Sequence, residues 1–477
     1  MADIDPWNRA GPRSRRWVRR AESGPVWVSL AFLLVVALAS AYEPRLVAGL
    51  RDSLFDAYQR LQPRPERDAP VRIIDIDDAS LARIGQWPWP RSQLAELVDR
   101  LRELGASAVV LDILLAEPDR ASPMRMPSEA QGKAPPDGRA DAPPDPDATL
   151  AAAIAAARVV TGFALVELRN TGIPAIKAGF AWIAADAPAA LPGSPGAVGT
   201  LPHLERGAVG NGALSISLSA GGIIRRLPLL LEVSGQVYPS LAVEALRVAQ
   251  GVDTVAVRLS PADRSVMEVR IGAFRIPTDA LGQLWLYAAP PRRDRYLPAW
   301  RLLAGTLPAA AVAGSVVLVG STARGLQDVH QTPLGNDVPG VEFHAQVLEQ
   351  VIHGDYLQRP AWAKGAEHAL LLGLGGLVLL VGRRLGPTTT ALLAGCGVAA
   401  AFAISWEAFS SHGLLLDPLS AAGAVIAVYF VFSLLRHLQT ERKQRWIRRA
   451  FASYISPKLV GQLVDNPSQL QLGGERR

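Results

Sequence analysis

The chain has 477 residues and a mass of 50.8 kDa, enough for two or three domains, and its single cysteine, Cys396, excludes an intramolecular disulfide or a cysteine-rich metal site. Hydrophobic residues make up 49%, charged residues 19%, and the mean hydropathy is +0.17, which excludes a disordered chain and directs attention to membrane segments. The net charge of +6 sits beside apolar runs, so it reads as a topology signal and not as a nucleic-acid footprint.

Residues 1–24 form a basic amino terminus with Arg9, Arg13, Arg15, Arg16, Arg19 and Arg20. The uncharged apolar run 25–42 that follows predicts a first transmembrane helix. Ala37-Leu38-Ala39 also resembles a signal-peptide cleavage site, so removal of the segment is the competing reading. A retained anchor is favoured because the run exceeds the usual signal core of about 7–15 residues.

Residues 43–365 lack an apolar run of spanning length and predict an α/β domain with an antiparallel portion. The β-branched run 71–77, a helix over 92–104 and a strand over 108–115 form a βαβ unit, which implies a parallel sheet. Residues 117–147 hold eight prolines and no periodic apolar face, the composition of a flexible insertion. Regular structure resumes with a helix over 148–157 and a strand over 159–165. Residues 213–218 and 227–233 read as neighbouring strands joined by Gly221-Gly222, and 240–249 as a helix. The runs 255–259, 266–271 and 284–287 read as the antiparallel portion, followed by a strand over 315–319 and a helix over 341–353.

Asp75 and Asp77 fall on one face of the first strand, Asp78 opens the next turn, and Asp112 lies near the end of the neighbouring strand. Ligands of open α/β sheets bind outside the carboxyl ends of the strands, so these residues with Arg91 could line a ligand pocket, with or without a cation. The structural alternative has Asp78 and Ser80 capping a helix while Asp75 or Asp77 pairs with Arg91 or Arg72. Trp87-Pro88-Trp89-Pro90 reads as a packing corner before a ligand platform, and Gly320-Ser321-Thr322-Ala323-Arg324-Gly325 as a turn before an anion cradle. His330, His344 and His353 lack zinc spacing, and no nucleophile elbow occurs. No catalytic residue, metal ligand or cofactor is assigned to this chain.

Three further transmembrane helices are expected over 366–382, 388–408 and 414–435. Arg383 and Arg384 mark one intervening turn, whereas Glu407, His412 and Asp417 mark the other; Arg436, Arg442, Lys443, Arg445, Arg448 and Arg449 follow the last helix. By the retention of basic flanks, both termini are cytoplasmic and the large domain is exported. In the coupling segment 436–477, Ile447, Phe451 and Tyr454 recur at helical spacing, a stripe that calls for a second copy of the chain, the alternative being a basic face laid on the bilayer. Ser456-Pro457 reads as the cap of a short helix running through Val464.

The motifs Ile74-Asp75-Ile76-Asp77-Asp78-Ala79-Ser80, Gly85-Gln86-Trp87-Pro88-Trp89-Pro90-Arg91, Leu111-Asp112-Ile113-Leu114, Tyr238-Pro239-Ser240-Leu241, Gly320-Ser321-Thr322 and Pro339-Gly340-Val341-Glu342-Phe343-His344-Ala345 resemble the type-two CHASE domain. That resemblance implies an extracytoplasmic sensor of a bacterial receptor in the inner (plasma) membrane, anchored by one helix before the domain and three after it. It implies an outside ligand or envelope protein as partner and assigns no binding residue. Phe451-Ala452-Ser453-Tyr454-Ile455-Ser456-Pro457-Lys458-Leu459-Val460 and Leu472-Gly473-Gly474-Glu475-Arg476-Arg477 are similar to the segment leading into class III adenylate or guanylate cyclases. The resemblance implies a dimer making cyclic nucleotide, cyclic AMP first, through a catalytic domain that would follow Arg477 and carry the divalent Mg or Mn ion. The competing expectations are a non-catalytic membrane sensor or scaffold complete at residue 477, or a sensor joined to a kinase or other output.

Overall fold

Val71 and Ile73 turn to one side of an extended segment and Ile74 and Ile76 to the other, because successive side chains of a strand alternate. All four are fully buried, so the strand Val71–Ile76 is covered on both faces and carries a continuous apolar run. Burying each such side chain contributes about 1.5–3 kcal/mol. The computed structural model describes residues 12–42, 44–122, 145–169, 172–216, 222–324, 326 and 329–452. They fall into two units, one of Ser53–Pro360 with Phe409–Leu415, the other holding the long apolar helices.

In the first unit, parallel neighbours run in the order Tyr296–Pro298, Val71–Ile76, Val316–Ser321, Ala108–Leu111, Val159–Val166 and Gly210–Ala213. Gly196–Val198 adds an antiparallel partner at the end of Val159–Val166. The helices Arg91–Glu103, Pro146–Ala156 and Ala299–Leu303 bury Leu94, Leu97, Ile154 and Leu302 with the Ile74 side of the sheet. Leu241–Gln250 and Gly340–His353 cover the Val71 side. Gly212 permits this packing, since a Cβ there would sit 2.7 Å from the Leu241 Cα.

A second sheet in the order Phe274–Pro277, Val266–Ile271, Thr254–Leu259 and Gly179–Ile183 sends Val255, Val257, Val269 and Ile271 into the same core. Its first three strands are antiparallel and Gly179–Ile183 joins them in parallel; 255–259 and 266–271 pair as expected, but their third partner is Phe274–Pro277, while the expected 284–287 is Gln283–Trp285 in a separate pair with Arg226–Pro228.

Several boundaries differ from the expected ones. The first strand stops at Ile76 because Asp77 caps the next helix, Asp78–Ile84, accepting a bond from the Ser80 amide. The expected strand at 213–218 is instead Gly210–Ala213, where glycine and asparagine gave no β signal. The run 227–233 breaks into Arg226–Pro228 and Leu230–Val233, which pair in separate sheets with Gln283–Trp285 and Gln236–Pro239. Within 117–147, Glu117–Ser122 and Asp145–Asp147 are held by specific hydrogen bonds, so the insertion is narrower than expected; its remainder lies outside the described residues. The helix Arg45–Leu61 was not expected.

Three helices, Ala363–Arg384, Pro387–His412 and Leu419–Trp446, are long and apolar enough to cross a membrane. Val26–Ala41 meets that test only together with Arg45–Leu61, across a 74° bend. The last helix begins later than the expected 414 because Gly413 is left-handed and the Asp417 carboxylate accepts from the Leu419 amide and the Ser420 hydroxyl. It then runs unbroken to Ala452. Leu33, Leu371, Leu379, Ala424, Val428 and Phe432 form the seam between these helices. Trp27, Leu38, Leu380, Leu392, Ile426 and Phe430 point outward and are more than half exposed, an arrangement suited to lipid and costly in water.

Candidate ligand-binding site

The carboxyl end of the parallel sheet gathers Asp75, Asp77, Asp78, Asp112 and the Ser321-Thr322 turn, because Val71–Ile76, Val316–Ser321 and Ala108–Leu111 lie side by side. Asp75 points toward that turn. Its carboxylate accepts from the Thr322 hydroxyl at 2.8 Å and the Thr322 amide at 3.2 Å. The Arg324 amide donates to Asp78 at 3.2 Å and the Ala323 amide to the Ser321 hydroxyl. The amides of Thr322, Ala323 and Arg324 are therefore taken by the chain's own oxygens.

Burial pushes the Asp75 pKa up to about 6; the Thr322 bonds oppose the rise, and neighbouring Asp77 and Asp78 add to it. Asp112 approaches the buried His344, whose Nε2 lies 4.0 Å from the Asp112 carboxylate and 3.2 Å from the Leu214 carbonyl. Among the described residues, no group of three or more His, Cys, Asp or Glu is arranged to hold a metal ion.

Arg91 belongs to a different constellation from the aspartates it was expected to join. Its guanidinium donates to the Glu117 carbonyl and lies 3.7 Å from Asp147, which is fully buried, while its amide donates to Asp119. Burial lowers the Arg91 pKa, with Asp147 and Asp119 opposing. Arg72 pairs with Asp68, not with Asp75 or Asp77.

Trp89 is buried and donates from its indole to the Gly85 carbonyl, with the Trp87 ring edge-on at 5.6 Å. Together Gln86, Trp89, Arg91, Glu117, Asp119 and Arg120 line a cleft of about 380 Å³, within the usual range for small-molecule sites. The tryptophan corner thus both packs the core and forms a cleft wall.

The buried polar groups of Gly340–His353 escaped the sequence reading. Glu342 lies 3.3 Å from Arg295, and Glu349 lies 3.3 Å from Arg295 and 3.1 Å from Arg64, all four side chains being nearly inaccessible. Tyr296 donates to Glu342, and Gln346 donates to the same carboxylate. Burial raises the Glu342 pKa, Arg295 opposing, and the Tyr296 pKa rises through burial and the Glu342 charge. The legible signal was the placing of Glu342, Gln346, Glu349 and Gln350 four, seven and eight positions along from the first, one face of a largely apolar helix.

Ile447 and Phe451 fall on the Leu419–Ala452 helix, and Tyr454 lies outside the described residues, as does the segment to Arg477. Against this geometry, the family model described as the CHASE2 domain matches residues 30–382, most of the chain. Neither the comparison with curated proteins nor that with solved structures finds a match.

Proposed function

Because the chain belongs to the CHASE2 family, whose domain is a sensor in signalling receptors, we propose that it is a multi-pass receptor of the bacterial inner membrane with its sensor outside and both termini in the cytoplasm. The observation that carries this reading is the extent of the family match, which runs from within the first apolar helix through the sensor fold into the second. Four membrane crossings follow from three apolar helices plus Val26–Ala41 as a retained anchor. The basic residues at Arg383 and Arg384 support a cytoplasmic turn there, and the membership of Phe409–Leu415 in the sensor's compact unit supports an outside location for the next turn.

The ligand, a small molecule or an envelope component, enters the cleft beside Trp89 and Arg91, with Asp75, Asp77 and Asp112 at the neighbouring strand ends. Output is cyclic nucleotide synthesis, cyclic AMP first, by a dimer. This part rests on the cyclase-like segments at 451–460 and 472–477, the catalytic domain and its divalent metal lying outside this sequence. A sensor serving a kinase, or a non-catalytic scaffold, is the second reading.

Compartment reporters test the arrangement. A reporter fused at Gly172 should be active only outside and one at Gly386 only in the cytoplasm. An outside signal at Gly386 would refute it.

A further inference from the structure

The end of the helix Pro387–His412 and the short turn after it, Phe409–Leu415 together, pack as part of the Ser53–Pro360 unit. Phe409 is 2% exposed. Its ring stands 5.4 Å from that of Tyr58 and 6.1 Å from that of Tyr287. Gln62 donates to the Ser410 carbonyl, and the chain at Gln358 exchanges backbone bonds with Gly413 and Leu415. The turn is thus held by both the helix Arg45–Leu61 and the segment following Gly340–His353.

Those two elements share one further structure, the extended stretch 285–289. On one edge, Gln350 accepts from the Tyr287 amide and donates to the Trp285 carbonyl, and Gln346 makes the same two bonds with Ala289. On the other edge, Gln59 accepts from the Ala288 amide and Arg64 donates to the Tyr287 and Ala288 carbonyls. Glutamine side chains here take the place of neighbouring strands, and the Arg64–Glu349 and Arg295–Glu349 pairs tie the two edges together. Glu342 continues the network through Tyr296, whose charge environment includes Asp75. Buried networks of this kind are costly to rearrange partway, so they favour discrete arrangements over gradual deformation.

We propose that the Tyr58–Phe409–Tyr287 contact couples the segment Phe409–Leu415, which precedes the Leu419–Ala452 helix in sequence, to the strap 285–289. The proposal deepens the receptor reading, and it commits to one direction-independent property. The strap 285–289 and the turn 409–415 are energetically coupled, each stabilising the other. An aromatic contact alone, without coupling, would leave each insensitive to changes in the other.

Amide hydrogen exchange on the full chain in phospholipid nanodiscs tests this. Phe409→Leu should accelerate exchange about tenfold or more at Arg64, Tyr287 and Ala288, and Tyr287→Leu should do the same at Gly413 and Leu415, while the Thr254–Leu259 strand stays unchanged. Phe409→Tyr, which keeps a ring in place, should restore slow exchange. Should Phe409→Leu fail to fold, Tyr287→Leu still tests the coupling through exchange at Gly413 and Leu415. Acceleration confined to the substituted element in either direction overturns the proposal. Exchange does not depend on compartment or output, so a failed reporter experiment and a failed exchange experiment are separable.

Discussion

Asp75 sits where water is scarce, and burial raises its pKa to about 6 from an ordinary 3.8. The folded chain therefore holds this proton more tightly than the unfolded chain. Stability from this group is greatest below about pH 4, falls as pH rises, and is fully lost above about pH 6, a total of about 3 kcal/mol. Asparagine keeps the shape and an acceptor for Thr322 but cannot titrate. In chemical denaturation followed by the domain tryptophans, the stability of the native chain minus that of Asp75→Asn should therefore decline between about pH 4 and pH 7 by up to about 3 kcal/mol. A difference independent of pH would show that the carboxyl is not desolvated. Asp75 was visible in the sequence as a candidate, but its partner Thr322 is 247 positions away, and no local pattern announces such a pairing. The same holds for Arg91, whose carboxylate Asp147 is supplied across the insertion and not by the nearby aspartates.

Helices and strands with a strong apolar period were legible, and those defined by tertiary contact were not. The run 266–271 was placed at both ends, and Gly340–His353 within one residue, because alternation and helical spacing persisted along them. Gly210–Ala213 escaped because its backbone pairing with Val159–Val166 and the close approach of Leu241 define it, and glycine carries no signal for either. Glycine has the same role among the apolar helices. A Cβ at Gly375 would stand 2.6 Å from a Leu33 methyl, and one at Gly382 would stand 2.6 Å from the Phe432 ring. Close approach of this kind replaces hydrophobic driving force, which is weak between helices in lipid. Gly375→Leu should lower the thermal stability of the helical bundle, an overpacking cost of about 1–3 kcal/mol, and Leu33→Ala should return part of it by making room. Measured by thermal scans in nanodiscs, equal destabilisation with and without Leu33→Ala would mean that these two positions do not meet.

The last described helix, Leu419–Ala452, is continuous; it leaves the apolar seam near Phe432 and carries Arg436, whose guanidinium donates to the Gly382 and Leu385 carbonyls. The helix runs from the Asp417 cap to residue 452 without a break. In the sequence, Ile447, Phe451 and Tyr454 stand at steps of four and three, a spacing that predicts one helical face. Under the proposed cyclase output, whose class III resemblance implies an active site between two catalytic domains, the transmitter is expected to meet a second copy. Burying two large apolar side chains in that contact is worth on the order of 2–5 kcal/mol, whereas exposed basic positions such as Arg449 add little. Cysteine scanning over residues 440–455 is clean only after the exposed Cys396 has been changed to Ser. Crosslinking between copies in native membranes should then peak at 447, 451 and 454, and Ile447→Ser with Phe451→Ser should abolish crosslinking through 454 while Arg448→Gln with Arg449→Gln leaves it intact. A flat profile, or maxima at 448 and 449, would assign the apolar stripe to the bilayer surface and remove the second copy from the transmission step.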